Sequence, residues 1–235
     1  MYCPSMRIQG NHLTYQYPNS PRYVFKDLDF NISEPGFHAL FGPSGVGKTT
    51  LARLLAGLEN GYGGRFHAED IARTLYSYNT ERLPGWTAVG DHLRRVTPDN
   101  RRDLLDRLIA TFGLTEHLGS RFRQLSMGQQ NRVNLARYLV QDFDVLIMDE
   151  SLANVDEATR EKIILGIKAA FSDKLFLYIS HNVTEVARFC REILVLRGAK
   201  RSPQAVSVQG RDQKDGRRPR QDDLERTMLE IVHAA

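Results

Sequence analysis

The sequence predicts an α/β fold with a parallel sheet covered by helices, an antiparallel β part at the N-terminus, and an inserted helical lobe. Two observations indicate the sheet: apolar runs alternate with helical patterns after residue 128, and another apolar run precedes a glycine-rich turn at 42–47. Such alternation is typical of parallel sheets buried on both faces. The third observation is an Arg- and Asp-rich stretch at 91–123, which indicates the lobe.

The length of 235 residues and the composition, 41% hydrophobic and 26% charged, suit one globular unit. We therefore expect residues 1–235 to form a single domain. Within it, we place the helical lobe at about residues 86–128 and a C-terminal tail and helix at about 197–235.

The N-terminal part has the pattern of two antiparallel strands. Residues 28–32 alternate apolar and polar side chains, as a half-buried strand does, and residues 7–17 are the expected hairpin partner. Residues 18–21 are the loop between them. An apolar strand at 37–41 then runs into the glycine-rich turn. A helix is expected next, because four leucines recur at the i, i+3, i+4 and i+7 spacing of one helical face: Leu51, Leu54, Leu55 and Leu58.

Periodicity also places the later elements. The lobe helix has one apolar face and ends at Gly113; the face consists of Leu104, Leu105, Leu108, Ile109 and Phe112. Helices are expected at 128–140 and around 163–171 and 183–190, and buried strands at 145–148, 175–179 and 193–196. A last helix has one apolar face, formed by Leu224, Met228, Ile231 and Val232.

Charge and hydropathy limit the classes of partner. The net charge is +4, but residues 197–220 alone contribute +6, so the remainder of the chain sums to −2. A nucleic-acid-binding face needs an excess of basic residues on the folded part of the protein, and here the excess lies in one segment near the C-terminus. We therefore expect no nucleic acid partner. We interpret 197–220 as a solvated tail; an acidic membrane surface or partner is the alternative. The apolar runs are too short to span a membrane, and two lone cysteines, Cys3 and Cys190, fit a reducing cytoplasm.

The glycine-rich turn at 42–50 matches the pattern G-x-x-x-x-G-K-[ST] between a predicted strand and a predicted helix. Its glycines let backbone N–H groups converge on phosphate oxygens, and the helix start adds partial positive charge. Lys48 would reach the outer phosphates, and Thr49 would supply a hydroxyl to Mg²⁺. The alternative is a turn that only caps an ordinary βα unit. The expected phosphate-binding residues are Gly42, Pro43, Ser44, Gly45, Val46, Gly47, Lys48, Thr49 and Thr50.

Two carboxylates, Asp149 and Glu150, end the buried strand predicted at 145–148. Such a strand would hold them at the carboxyl edge of the sheet, where the phosphate loop also opens. Asp149 can hold Mg²⁺ through water, and Glu150 is placed to polarise an attacking water. Solvated acidic residues often end strands, so the phosphate loop is what makes this pair informative.

The stretch Leu125-Ser-Met-Gly-Gln-Gln130 makes the chain recognisable, because it precedes a predicted helix and lies between the other two motifs. The chain resembles the ATP-binding subunit of ABC transporters, whose signature at this place is Leu-Ser-Gly-Gly-Gln. Met127 stands where a glycine is usual. The resemblance implies a P-loop ATPase core and nucleotide contacts from Ser126, Gly128 and Gln129.

The resemblance implies roles for other single residues. Tyr17 stands where the family has an aromatic that stacks on adenine; Tyr15 is its rival, and a plain strand aromatic is the alternative. Asp156 belongs to a loop that would cross a dimer interface, or it only caps the next helix. His181 follows Asp149 by 32 residues, in the position of the family's switch histidine.

Asn79 stands where the family has a glutamine that contacts Mg²⁺. The expected metal ligands are therefore Thr49, Asn79 and Asp149. The stretch from Lys48 to Asn79 is short for the family, which predicts a reduced antiparallel β part. The following stretch, Arg82-Leu-Pro-Gly-Trp86, is similar to one in nitrate, sulfonate and taurine importers.

The function that the resemblance implies is hydrolysis of Mg²⁺-bound ATP, with Lys48, Glu150 and His181 as catalytic residues. It also implies a head-to-tail homodimer or a paired ATPase subunit, peripheral at the cytoplasmic face of the membrane. A separate membrane permease and, indirectly, an extracytoplasmic solute-binding protein would be its partners. Two alternatives are a soluble ABC-type ATPase acting on DNA or ribosomes and a nucleotide-gated regulatory module.

Overall fold

The computed structural model describes residues 6–83 and 85–235. In these ranges the strands are β1 (Arg7–Gln16), β2 (Tyr23–Ser33), β3 (Gly36–Phe41), β4 (Gly63–Glu69), β5 (Thr74–Tyr78), β6 (Val145–Asp149), β7 (Leu175–Ile179), β8 (Glu192–Leu196) and β9 (Ala205–Gln209). The α-helices are α1 (Lys48–Leu55), α2 (Val89–Val96), α3 (Arg102–Thr111), α4 (Met127–Leu139), α5 (Glu157–Ala170), α6 (Val183–Phe189) and α7 (Gln221–Ala234). Cys3 and Pro84 lie outside the described residues.

The main sheet has six strands in the order β5-β6-β7-β3-β8-β9. Its first five strands are parallel, and β9 is antiparallel to β8. Every residue of the central strands β6 and β7 is buried, which agrees with their uninterrupted apolar sequences. The predicted parallel α/β fold is confirmed.

The predicted antiparallel part is a three-stranded sheet in the order β2-β1-β4. The expected hairpin forms between β1 and β2, with Ile8 opposite Ile32 and Leu13 opposite Leu28. These side chains pack with Leu51 of α1 in one buried cluster, so this sheet covers the helix that follows the glycine-rich turn.

The helical lobe contains α2 and α3. The apolar face of α3 joins the main core, where Leu105, Leu108 and Phe112 cluster with Leu146 of β6. Gly113 ends the helix in the left-handed region with φ +61°, a backbone conformation that favours glycine. The lobe therefore packs against α4 and α5, and so joins the main core, through the face that the sequence predicted.

Three sequence expectations about the core and the tail were wrong. Leu58 is 54% exposed, because α1 ends at Leu55 and Gly57 turns the chain away with φ +69°. The segment 197–220 is not simply a solvated tail, since β9 pairs along β8 within it and Gln213 is buried. Val232 is 56% exposed, because it lies one residue, or about 100° of helix, beyond the buried Ile231.

The helices within the described residues are too short or too polar to cross a lipid bilayer.

Candidate phosphate-binding and catalytic site

The loop between β3 and α1 adopts conformations that require glycine. Gly42, Gly45 and Gly47 have φ values of +144°, +75° and +107°. A Cβ atom on Gly42 would lie 2.4 Å from the backbone oxygen of Leu196, and one on Gly47 would lie 2.6 Å from Cγ1 of Val24. The loop therefore passes close to its neighbours at both ends. Glycine is required at Gly42 and Gly47 for two reasons: the positive φ values and the lack of space for a Cβ atom.

Lys48 is the first residue of α1, and its side chain folds back across the loop. Its Nζ donates hydrogen bonds to the backbone oxygens of Gly42, at 2.8 Å, and Pro43, at 2.9 Å. Burial lowers the pKa of the Lys48 ammonium, and the carboxylates of Glu150 and Asp149 oppose that shift. The ammonium is thus buried, directed by two loop carbonyls and close to two negative charges.

Asp149 is the last residue of β6 and is buried. Its Oδ2 accepts a hydrogen bond from the Tyr76 hydroxyl at 2.8 Å. Burial and this carboxylate raise the pKa of Tyr76, so the hydroxyl stays a donor at neutral pH. Tyr76 therefore orients one oxygen of Asp149, an arrangement that no sequence motif indicated.

Glu150 and His181 meet at the edge of the sheet. Nε2 of His181 lies 2.6 Å from Oε1 of Glu150, at the ends of adjacent strands β6 and β7. Glu150 has φ +52°, a left-handed conformation uncommon for a residue with a side chain. Its backbone N–H donates to Ile179 at 3.1 Å, which holds this conformation.

One cleft brings most of the predicted residues together. It is lined by Tyr17, Val24, Ser44, Gly45, Gly47, Lys48, Thr49, Thr50, Asp149, Glu150, Ile179 and His181. Val24 and Ile179 were not predicted, because an apolar strand residue has no motif to reveal that it faces a ligand. Gly42, Pro43 and Val46 shape the loop but do not line this cleft.

The two candidate aromatics differ in position. Tyr15 is only 3% exposed, and its hydroxyl donates to Glu59 at 3.3 Å. Tyr17 is 39% exposed, lines the cleft, and its hydroxyl lies 2.8 Å from Oγ1 of Thr50. The geometry favours Tyr17 over Tyr15 as the ring that a base could contact, and its stacking role stays a prediction.

The start of α4 lies apart from this cleft. Ser126 and Gln129 form a reciprocal cap: the Ser126 Oγ accepts from the Gln129 backbone, and Gln129 Oε1 accepts from the Ser126 backbone. Nε2 of Gln129 lies 2.9 Å from Nε2 of His117. A Cβ atom on Gly128 would lie 2.3 Å from the backbone oxygen of Asn154. These three residues pack against their own chain and do not line its cleft.

Asn79 is also outside the cleft. Its Oδ1 accepts a hydrogen bond from Nδ2 of Asn131 in α4 at 3.0 Å, and its backbone N–H donates to Asp149 at 3.0 Å. The structure thus places the Asn79 amide oxygen against α4, and Asn79 does not line the cleft that Thr49 lines. Its role as a metal ligand stays a prediction.

Asp156 caps α5, since its Oδ1 accepts from the backbone N–H of Thr159 at 2.9 Å. That hydrogen bond lowers the pKa of the Asp156 carboxyl group. The capping interpretation therefore applies, and a role at a dimer interface stays a prediction.

The cleft suits phosphates and a magnesium ion. Thr49 and Asp149 both line it and offer hydroxyl and carboxylate oxygens, which are the ligands that Mg²⁺ prefers. The contact from Tyr76 uses one oxygen of Asp149, Oδ2. Gly42, Gly45 and Gly47 place no side chain of their own over the loop backbone, which leaves N–H groups for a phosphate once Lys48 turns toward it.

A family model and individual relatives of known name agree on one protein family. The family model described as ABC transporter matches residues 25–153. The molybdenum import ATP-binding protein ModC of Saccharophagus degradans is 34% identical over 72% of this chain and 52% of that protein. The taurine import ATP-binding protein TauB of Pseudomonas fluorescens is 30% identical over 80% of this chain and 77% of that protein.

A solved structure shares the fold. A bacterial Atm1-family ABC exporter with ATP bound superposes with a TM-score of 0.79 at 21% identity, covering 99% of this chain and 42% of that chain. The chain spans about half the length of the molybdenum-import relative, which it matches over 52% of that protein.

Gly128→Ala should lower the free energy of unfolding, because the new methyl would meet the Asn154 backbone at 2.3 Å. Alanine has the better helix propensity by about 1 kcal/mol, so a net loss requires the clash to outweigh it. We expect a loss of about 1–3 kcal/mol from overpacking, measured by urea unfolding. Gly119→Ala is the matched control, because a Cβ there meets nothing within 4 Å. Equal stability of the two variants would contradict the close approach.

Proposed function

The chain belongs to the ABC transporter family, and from that premise we propose that it binds Mg²⁺-ATP and hydrolyses it to drive import through a separate membrane permease. The observation that supports hydrolysis most directly is the Glu150–His181 contact of 2.6 Å in the cleft that Lys48 and the glycine loop also line. A phosphate loop alone would support only binding.

Binding in this proposal uses the loop and its lysine. The backbone N–H groups of 44–49, at the start of α1, hold the phosphates, and the Lys48 ammonium exchanges its two carbonyl acceptors for phosphate oxygens. Tyr17 supplies a ring at the side of the cleft for the adenine. Mg²⁺, held by Thr49 and Asp149, would neutralise charge on the outer phosphates.

Hydrolysis in this proposal is an in-line attack of water on the γ-phosphorus. Glu150 accepts a proton from the water as its oxygen bonds to phosphorus, the bond from phosphorus to the bridging oxygen breaks, and ADP and phosphate leave. His181 holds Oε1 of Glu150 at 2.6 Å, which directs the carboxylate and leaves Oε2 for the water. A histidine at this place can also donate to the γ-phosphate as charge develops.

A second chain would complete the site. Ser126 and Gly128 form the start of α4, outside the cleft of their own chain, and the serine hydroxyl and helix N-terminus are suited to phosphate oxygens. In a head-to-tail homodimer, or with a paired ATPase subunit, this helix start covers the cleft of the other chain. The subunit would sit at the cytoplasmic face of the membrane as a peripheral protein.

The finer proposal concerns the solute. The taurine-import relative and the similarity of 82–86 to nitrate, sulfonate and taurine importers favour a small oxyanion, delivered by an extracytoplasmic binding protein. In proteoliposomes with the cognate permease and binding protein, taurine or a sulfonate should stimulate hydrolysis several-fold. Stimulation by a neutral sugar and not by these anions would contradict this choice of solute.

Glu150→Gln should lower the hydrolysis rate about 10²–10⁴-fold, the usual cost of losing a general base, and leave ATP affinity nearly unchanged. The amide keeps the shape of the side chain but cannot accept the proton. Phosphate release and isothermal titration with Mg²⁺-ATP measure the two effects. Glu230→Gln, on the exposed face of α7, is the control and should retain the wild-type rate. Near-normal turnover of the Glu150 variant would remove that residue from the reaction.

A further inference from the structure

The carboxylate of Glu185, in the first turn of α6, is buried with only 6% of the residue exposed, yet it accepts hydrogen bonds from four side chains. Oε2 accepts from the Tyr178 hydroxyl at 2.9 Å and from Oγ of Ser180 at 3.1 Å. Oε1 accepts from Nδ2 of Asn182 at 3.2 Å and from the guanidinium of Arg160. Both oxygens are therefore fully engaged without any contact to the cleft.

Two of these donors flank His181 in the chain. Ser180 and Asn182 are its immediate neighbours, and both bind Glu185. Asn182 is fixed further, since its backbone N–H donates to Oγ of Ser180 at 3.1 Å and its Oδ1 accepts from the Glu185 backbone. His181 itself is exposed, and its side-chain contact is with Glu150. The position of the imidazole thus depends on neighbours that Glu185 holds.

The fourth donor leads to a second loop. Arg160 lies near the start of α5, and one branch of its guanidinium binds Glu185 while the other donates to the backbone oxygen of Val155. Val155 precedes Asp156, and the neighbouring Asn154 lies against Gly128 at the start of α4. Glu185 and Arg160 therefore connect the loop that contains His181 with the loop at 152–156.

Burying a carboxylate is costly, and a complete set of partners is what makes it tolerable. Burial and Glu185 raise the pKa of Tyr178, so its hydroxyl remains a donor at neutral pH. Both oxygens of the buried Glu185 carboxylate have partners, although Nε of Arg160 has none. Removing the charge of Glu185 would leave the Arg160 guanidinium without its anionic partner. The two loops are consequently held at one fixed separation.

We propose that Glu185 is a positioning residue for hydrolysis, setting His181 through Ser180 and Asn182 and the 152–156 loop through Arg160. The two loops then move together when the cleft is covered. This inference rests on the proposed ATP hydrolysis. Glu185 does not line the phosphate cleft, so its effect should fall on the chemical step and not on nucleotide binding.

The test is Glu185→Gln, which keeps the shape and removes the charge that Arg160 binds. We expect the maximal rate of hydrolysis to fall about 10- to 100-fold, as small misplacements of reacting groups do, with KM for ATP unchanged within about twofold. On a His181→Ala background the same change should cost clearly less than in the wild-type protein, because one of the two elements being positioned is gone and only the 152–156 loop is left to misplace. Amide hydrogen exchange should accelerate in peptides covering both 152–156 and 180–182.

Glu161→Gln is the matched control. Glu161, in α5, is likewise a carboxylate that is largely shielded from solvent and paired with arginine. Its partners are the guanidinium groups of Arg188 and Arg218, which lie outside both loops. It should keep the wild-type rate within about twofold and leave exchange in both loops unchanged. If Glu185→Gln does not fold, Tyr178→Phe removes one donor only and should show the same effects in smaller amount.

The outcomes separate the two proposals. Wild-type rate and wild-type exchange in Glu185→Gln would overturn the positioning role, as would an equal loss in Glu161→Gln or full additivity with His181→Ala. Absence of hydrolysis by the wild-type protein with its permease would overturn the proposed function instead, and the exchange measurement would still decide whether Glu185 couples the loops.

Discussion

The site depends on the register of three adjacent parallel strands. In the order β6-β7-β3, Asp149 is level with Ile179, and Ile179 is level with Leu40. The residues that follow these three positions therefore emerge at one edge of the sheet: Glu150, the Ser180–His181 pair, and the loop that starts at Gly42. Parallel pairing brings carboxyl ends together over long separations in sequence, which is why motifs more than 100 residues apart line one cleft.

Close backbone approaches then determine how this edge is arranged. The glycine loop passes Leu196 and Val24 at distances that exclude a Cβ atom, and Gly128 meets Asn154 in the same way. Lys48 is buried near two carboxylates, and Glu150 has a left-handed backbone. Charged and strained groups of this kind do not favour the folded state by themselves, and their concentration at one edge is typical of a functional site.

Much of this arrangement could be predicted, because periodicity and motif spacing are local properties of the chain. The strands at β3, β6 and β7 and the loop at 42–50 were found in this way. Contacts between distant parts of the chain were not: β9 lay in a polar segment, Tyr76 binds Asp149 across 73 residues, and Arg160 reaches Glu185 across 25 residues. Asn79 shows the same limit, since nothing in its own stretch reveals that Asn131 would bind its amide oxygen.

The central claim is that the cleft of one chain and the start of α4 in another form one nucleotide site. The most direct measurement is a crystal structure of the protein with Mg²⁺ and a non-hydrolysable ATP analogue. The account predicts the outer phosphates in the 42–49 loop, with Ser126 of a second, head-to-tail copy facing the γ-phosphate. A fully enclosed nucleotide in a single chain, or phosphates bound away from Lys48, would contradict it.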